Sequence, residues 1–239
     1  AQDYLVRSAV RWAVQLRRIL WHPARCLPCM SSTWHFLSIL GDSRLLVPAA
    51  LVLIVMGWHR ASRWHLRWAV TLCVIGAMVL ASKLAFLGWG IGSARLDFTG
   101  ISGHAAVSAS IWPVLLAVCM PRRSAPWVAV AGLLLAAVIA YSRLPLNAHS
   151  WSEVASGWLL GALGSAWTLR RLDATAPASP RWLAAALIAG AFMPVAFPQA
   201  TTHEAVVRLA TALSGAKKAY VRSALHEKSV TLQRKMLTP

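Results

Sequence analysis

The chain has 239 residues, 58% of them hydrophobic and only 13% charged, and its mean hydropathy is +0.57, whereas soluble domains carry about 25% charged residues. An ordinary soluble globular domain is thereby excluded, and apolar runs of roughly 17 to 25 residues separated by short Arg-bearing loops describe a multi-span membrane protein. Lys and Arg total 24 against 7 Asp and Glu, a formal net charge of +17. The basic residues stand at the ends of the runs, where they set topology and meet anionic lipid, and not in a nucleic-acid-binding stripe.

Residues 1–42 are expected to form an amphipathic, interfacial segment. They contain Cys26 and Cys29 as a lone Cys-x2-Cys, with no second pair and no His at zinc spacing, so neither a metal site nor a disulfide framework is indicated. From there to residue 198 the apolar runs fall at about 43–58, 66–87, 102–120, 125–142, 149–169 and 182–198. Each should be a helix, because backbone polar groups in hydrocarbon must be satisfied internally and the runs show no strict alternation. Pro121, Pro126 and Pro180 mark starts or stops, and Trp58, Trp64, Trp68, Trp89, Trp127, Trp151, Trp167 and Trp182 lie close to run ends, where an indole can stay half wet. The expected architecture is all-α: a polytopic transmembrane bundle of about six spans over residues 43–198, followed by a basic amphipathic tail, 199–239.

Orientation follows from the loops. Arg60, Arg63 and Arg67, then Arg122 and Arg123, then Arg170, Arg171 and Arg181 occupy three loops on one side, which should be cytoplasmic. Both termini are also basic yet fall on the other side in this register. Either 182–198 does not cross fully and a weak span lies near 23–41, or the ends lie outside as surface helices. In the tail, Val206, Leu209 and Leu213 recur at helical intervals, which favours an interfacial helix.

Ionisable groups within membrane segments are costly, so each one is a functional candidate. Between residues 45 and 169 the acids are Asp97 and Glu153, and the bases outside the cytoplasmic loops are Lys83, Arg95 and Arg143, with His104 and His149. All map to the outer ends of spans and can converge on one anion site with acid/base or nucleophilic capacity. A helix beginning near His149 puts Glu153 one turn away on the same face. That carboxylate can accept one imidazole N–H and leave the other nitrogen as a nucleophile. Ser102, Gly103 and His104 open another span, where free backbone N–H groups favour phosphate. Asp97 is assigned a structural role, since a carboxylate aimed into a phosphate pocket would repel its ligand. Gly157, Gly161 and Gly164 read as helix-packing positions.

Two of these strings carry a family resemblance. Ser142-Arg143-x5-His149-x3-Glu153 resembles the third signature of the type 2 phosphatidic acid phosphatase superfamily, Ser-Arg-x5-His-x3-Asp, and Ile101-Ser102-Gly103-His104 resembles its second, Pro-Ser-Gly-His. The first signature, Lys-x6-Arg-Pro, is half present: Lys83 is in place, but Gly90 stands where the Arg should be, and Arg95 is the nearest later base that could replace it. The resemblance implies a phosphohydrolase in which His149 attacks phosphorus, Glu153 orients it and His104 protonates the leaving oxygen. Lys83, Arg143, Ser102, Gly103 and Arg95 would hold the phosphoryl oxygens, without a metal or other cofactor. It further implies a lipid phosphate or diphosphate as substrate and a site facing the periplasm from the inner membrane. A lipid phosphotransferase using the same site, or a non-catalytic lipid-phosphate binder, is the alternative.

Overall fold

The computed structural model describes residues 28–58, 63–121, 123–170, 172, 180–196 and 202–225. Cys26, most of the expected interfacial segment 1–42, Arg60, Arg122, Arg171 and the end of the basic tail lie outside the described residues. Two compact units divide the chain, Ala1–Thr33 and Trp34–Pro239, and the second contains the helical bundle with all of the polar candidates.

The described residues form helices α1 (Pro28–Ile39), α2 (Ser43–Gly57), α3 (Trp64–Trp89), α4 (Gly103–Cys119), α5 (Ala125–Ser142), α6 (Trp151–Leu169), α7 (Pro180–Ala196) and α8 (Thr202–Ser214). A lone antiparallel bridge between Ser93 and Phe98 is the β-type pairing among the described residues. Three stretches are long and apolar enough to cross a bilayer: Ser32–Gly57, counted through the turn at 40–42, Trp64–Trp89 and Ala125–Ser142. Gly103–Cys119 and Arg181–Phe192 are apolar but shorter. The protein is therefore membrane-associated, with three candidate spanning helices where the apolar runs predict about six.

Helix α4 is the axis of the bundle. It packs most extensively on α5 and α6 and also meets α2, α3 and α7. Its core residues Ile111, Val114, Leu115 and Val118 join Leu46, Leu53, Trp64, Trp68 and Ile139 in one cluster. By contrast α3, which carries the longest apolar run, leaves Val70, Val74, Met78 and Leu80 exposed, as expected where lipid and not protein is the neighbour. Small residues set the closest approaches: a Cβ on Gly157 would stand 2.5 Å from the Ser102 carbonyl oxygen and 3.1 Å from Ala105 Cβ. One turn on, a Cβ on Gly161 would collide with the Ala106 carbonyl. Tight backbone contact of α6 with α4 thus places the start of α6 against the start of α4.

The helices run antiparallel, so the chain returns repeatedly to two ends. At one end Arg63, Leu66 and Arg67 of α3 share a groove with Trp167 of α6. At the other, α3 finishes, α4 starts, α5 finishes and α6 starts. Helix α8 packs on α3 with Gly88 against Ala210 and Ser214, so the tail shares this second end. Ala210 is buried there, while Leu209 and Leu213 stay exposed. The face that packs is therefore offset from the apolar stripe expected from the spacing, which leaves that stripe free for an interface.

Candidate active site

The polar end is built on helix termini. Ser102 caps α4 in an extended conformation but makes no side-chain capping hydrogen bond. Its hydroxyl is fully buried and has no partner among the described residues. The Ser102 backbone N–H instead donates to the Glu153 carbonyl oxygen at 3.1 Å, tying the start of α4 to the first turn of α6. Lys83 lies beside that start, since a Cβ on Gly103 would stand 3.9 Å from its Nζ. Gly100, with φ of +143°, packs on the Lys83 backbone and side chain, where a Cβ would be 3.3 Å from Lys83 Cγ. Only glycine tolerates both that backbone angle and that approach.

Helix α6 begins at Trp151, not at His149, which corrects the expectation of a shared helical face. His149 precedes the N-cap Ser150, and the contact is made through a capping box. The Ser150 hydroxyl accepts from the Glu153 N–H at 3.5 Å, while the Glu153 side chain returns to accept the Ser150 N–H at 3.2 Å. A glutamate at this third helical position folds its carboxylate back over the preceding turn, where His149 Nδ1 meets Oε2 at 2.7 Å. Glu153 is entirely buried. Its Oε1 also accepts the Thr99 N–H at 2.7 Å and the Thr99 hydroxyl at 2.5 Å. The longer arm of Glu153, compared with the Asp of the resembling signature, matches this reach.

Arg143 is the C-cap of α5. It donates through Nη1 to the Ser38 hydroxyl, and its Nε is buried without a partner among the described residues. Burial lowers its pKa from the ordinary value, with Asp42 acting in the opposite sense; a guanidinium starts so high that it stays charged. His104 lies within electrostatic reach of Arg143, Asp42, His149 and Lys83, and Lys83 within that of Glu153 and Arg143. The structure therefore brings together His149, His104, Glu153, Lys83, Arg143, Ser102 and Gly103.

Arg95 is not among them. It is exposed in the turn 94–97, and the guanidinium that enters the site belongs to Arg222 of the tail. Arg222 Nη2 donates to both Glu153 oxygens at 2.8 Å and Nη1 to Asp97 Oδ2 at 2.8 Å. Sequence reasoning missed Arg222, Thr99 and Asp42. Thr99 had one available signal, its place in the Gly-rich loop before Ser102. Arg222 had none, being one of several bases in a basic tail. Asp42, the N-cap of α2, binds Arg44 at 2.7 Å and adds a carboxylate near His104.

An apolar helical bundle of a membrane-associated protein thus holds two histidines, a buried carboxylate and clustered cations at one end. The sequence model of the PAP2 superfamily matches residues 92–176, the stretch from the glycine-rich loop through α6. The chain is also 38% identical over 208 residues to an uncharacterized 22.5 kDa protein in the cps region of Klebsiella pneumoniae, covering 82% of this chain and 99% of that relative. No solved structure matches it. The chain belongs to the type 2 phosphatidic acid phosphatase (PAP2) superfamily. Members of that superfamily are phosphatases, which makes phosphoric ester hydrolysis its class of activity.

Proposed function

We propose that the protein is an integral membrane lipid phosphatase or diphosphatase working through a phosphohistidine on His149. The observation that carries this reading is the 2.7 Å contact of His149 Nδ1 with the buried Glu153 carboxylate. A carboxylate accepting the Nδ1–H fixes the tautomer and leaves the Nε2 lone pair to attack phosphorus. The P–N bond forms as the P–O bond to the leaving group breaks, and His104 gives that oxygen its proton. Water then attacks the phosphohistidine, releasing phosphate and restoring the imidazole. Lys83, Arg143, the Ser102 hydroxyl and the Gly103 N–H stabilise charge on the phosphoryl oxygens in the transition state. The buried Ser102 hydroxyl and Arg143 Nε, both unpartnered among the described residues, are the donors such an anion would satisfy.

Six crossings, α2 through α7, fit the antiparallel order and the placement of the tail at the site end. The opposite end carries Arg63, Arg67, Arg123 and Arg170, the signature of a cytoplasmic face, so the site faces the periplasm. A lipid phosphate suits a site at span ends, with its head group at the interface and its tails in the bilayer. The test is inorganic phosphate release from a panel of lipid mono- and diphosphates in detergent micelles, with EDTA present, for the parent and His149→Ala. Release that the substitution abolishes supports the reading. Lipid phosphate bound by both proteins but hydrolysed by neither overturns it.

A further inference from the structure

The chain beyond α8 is not a bystander to the site. The Tyr220 N–H donates to the Leu87 carbonyl at 2.9 Å in the last turn of α3. The Tyr220 ring covers Gly90, where a Cβ would stand 2.9 Å from two ring carbons and where φ is +67°. Leu225 approaches Gly92, a Cβ there meeting its Cδ2 at 3.5 Å. Two residues past Tyr220, Arg222 bridges Glu153 and Asp97, and its Nη2 also lies 3.3 Å from the Thr99 hydroxyl.

We propose that Arg222 is a positioning residue of the active site, delivered by the docked C-terminal segment to lock the Glu153 carboxylate that holds His149. This rests on the phosphohistidine reading above. A buried carboxylate that is not fixed can rotate about its last torsion and lose its imidazole. Here Nη2 contacts both oxygens and Nη1 is anchored on Asp97, so the two arms of the guanidinium tie Glu153 to Asp97 and hold its carboxylate against rotation. The partners also separate this role from inhibition by the tail. Arg222 engages two carboxylates and Thr99, while Ser102 and Arg143, the donors assigned to the phosphoryl group, are not among its contacts. Gly90, at the position where the first signature carries Arg, makes room for the aromatic ring that guides this second guanidinium into place.

The experiment uses the full chain in detergent micelles, comparing the parent, Arg222→Ala, Arg222→Lys and His149→Ala. Rates are measured with p-nitrophenyl phosphate, and histidine-selective ¹⁵N spectra are recorded, with His149 assigned by its absence in His149→Ala. Arg222→Ala should lower kcat by about 10²-fold, the scale of a misplaced reacting group, with KM changed by less than about threefold. Ethylguanidinium should restore part of the rate in Arg222→Ala and none in His149→Ala, and Arg222→Lys should recover little, since a single ammonium cannot bridge Glu153 and Asp97 as the two guanidinium nitrogens do. The His149 signals should move in Arg222→Ala and return with ethylguanidinium. Parental kcat in Arg222→Ala, or unmoved His149 signals in a folded variant, overturns the proposal and leaves the tail a mere anchor. If the parent releases no phosphate while the His149 signals still move, the hydrolysis reading fails and the role of Arg222 stands.

Discussion

Two corners of the polar end differ in how completely their hydrogen-bonding groups are matched. Around Glu153 both carboxylate oxygens are taken, by His149, Ser150, Thr99 and Arg222. At the neighbouring start of α4, the Ser102 hydroxyl and Arg143 Nε are buried with no partner among the described residues. A buried donor left unmatched costs free energy, and on the proposed mechanism a phosphoryl group would satisfy these two. On the proposed mechanism, the first corner is a fixed mount for the nucleophile, and the second is a receptor for the group to be attacked. One folded end thus serves positioning and binding by saturating some groups and sparing others.

Substitutions should divide along the same line, and the largest effects belong to the mount. His149→Ala should lower kcat by at least about 10⁴-fold, since nothing else supplies the nucleophile, while binding of inorganic vanadate, followed by its protection against thermal unfolding, should survive. Glu153→Gln keeps the shape but not the charge that orients and stabilises the imidazole, and a loss of about 10³- to 10⁴-fold in kcat is expected. A rate within tenfold of the parent would break the assignment of Glu153. His104→Ala should cost about 10²- to 10⁴-fold with alkyl phosphates and much less with p-nitrophenyl phosphate, whose leaving group needs no proton. Equal losses on both substrates would show that His104 is not the general acid.

Two smaller effects sharpen the contrast directly. Thr99→Ala removes the hydroxyl's hydrogen bond to a buried charge, leaving the backbone one in place, and should lower stability by about 1.5 to 3 kcal/mol, read as a shift in the thermal midpoint. Ser102→Ala removes an unmatched hydroxyl, so the midpoint should hold or rise while kcat/KM falls by about tenfold, the value of a single hydrogen bond. If Ser102→Ala destabilised the protein as much as Thr99→Ala, the distinction between mount and receptor would fail. The smallest effect is expected at Arg95, which is exposed; Arg95→Ala should leave both rate and midpoint within the range of an ordinary surface change, about 0.5 kcal/mol.

How far the sequence can be read depends on the range of each interaction. Helix positions are legible because apolar runs, Pro and Trp act locally: the runs at 102–120, 125–142 and 149–169 correspond to α4, α5 and α6 within about two residues. Gly157 and Gly161 are legible as packing positions because small residues at helical spacing have few other uses. The pairing of His149 with Glu153 is also legible from their separation, but periodicity supplies the wrong geometry for it. Periodicity sees two residues on a helix face, whereas Ser150 and Glu153 form a capping box that starts the helix two residues after His149. Arg95 is the nearest base along the chain, and nearness along the chain does not decide which guanidinium enters a pocket assembled from four helix ends and a returning tail.

What the sequence alone determined was whatever a short stretch dictates against its solvent: helices from apolar runs, helix ends from charge and indole, and the chemical class of the residues gathered at one end. The tertiary structure decided which of those residues share an electrostatic environment, which donors are saturated, and that a guanidinium 69 residues beyond Glu153 completes the carboxylate's shell. The physical reason is that hydrogen bonds and charges act over a few ångströms of space, and only the packing of α6 on α4 and of the tail on α3 brings groups so distant in the chain within that range.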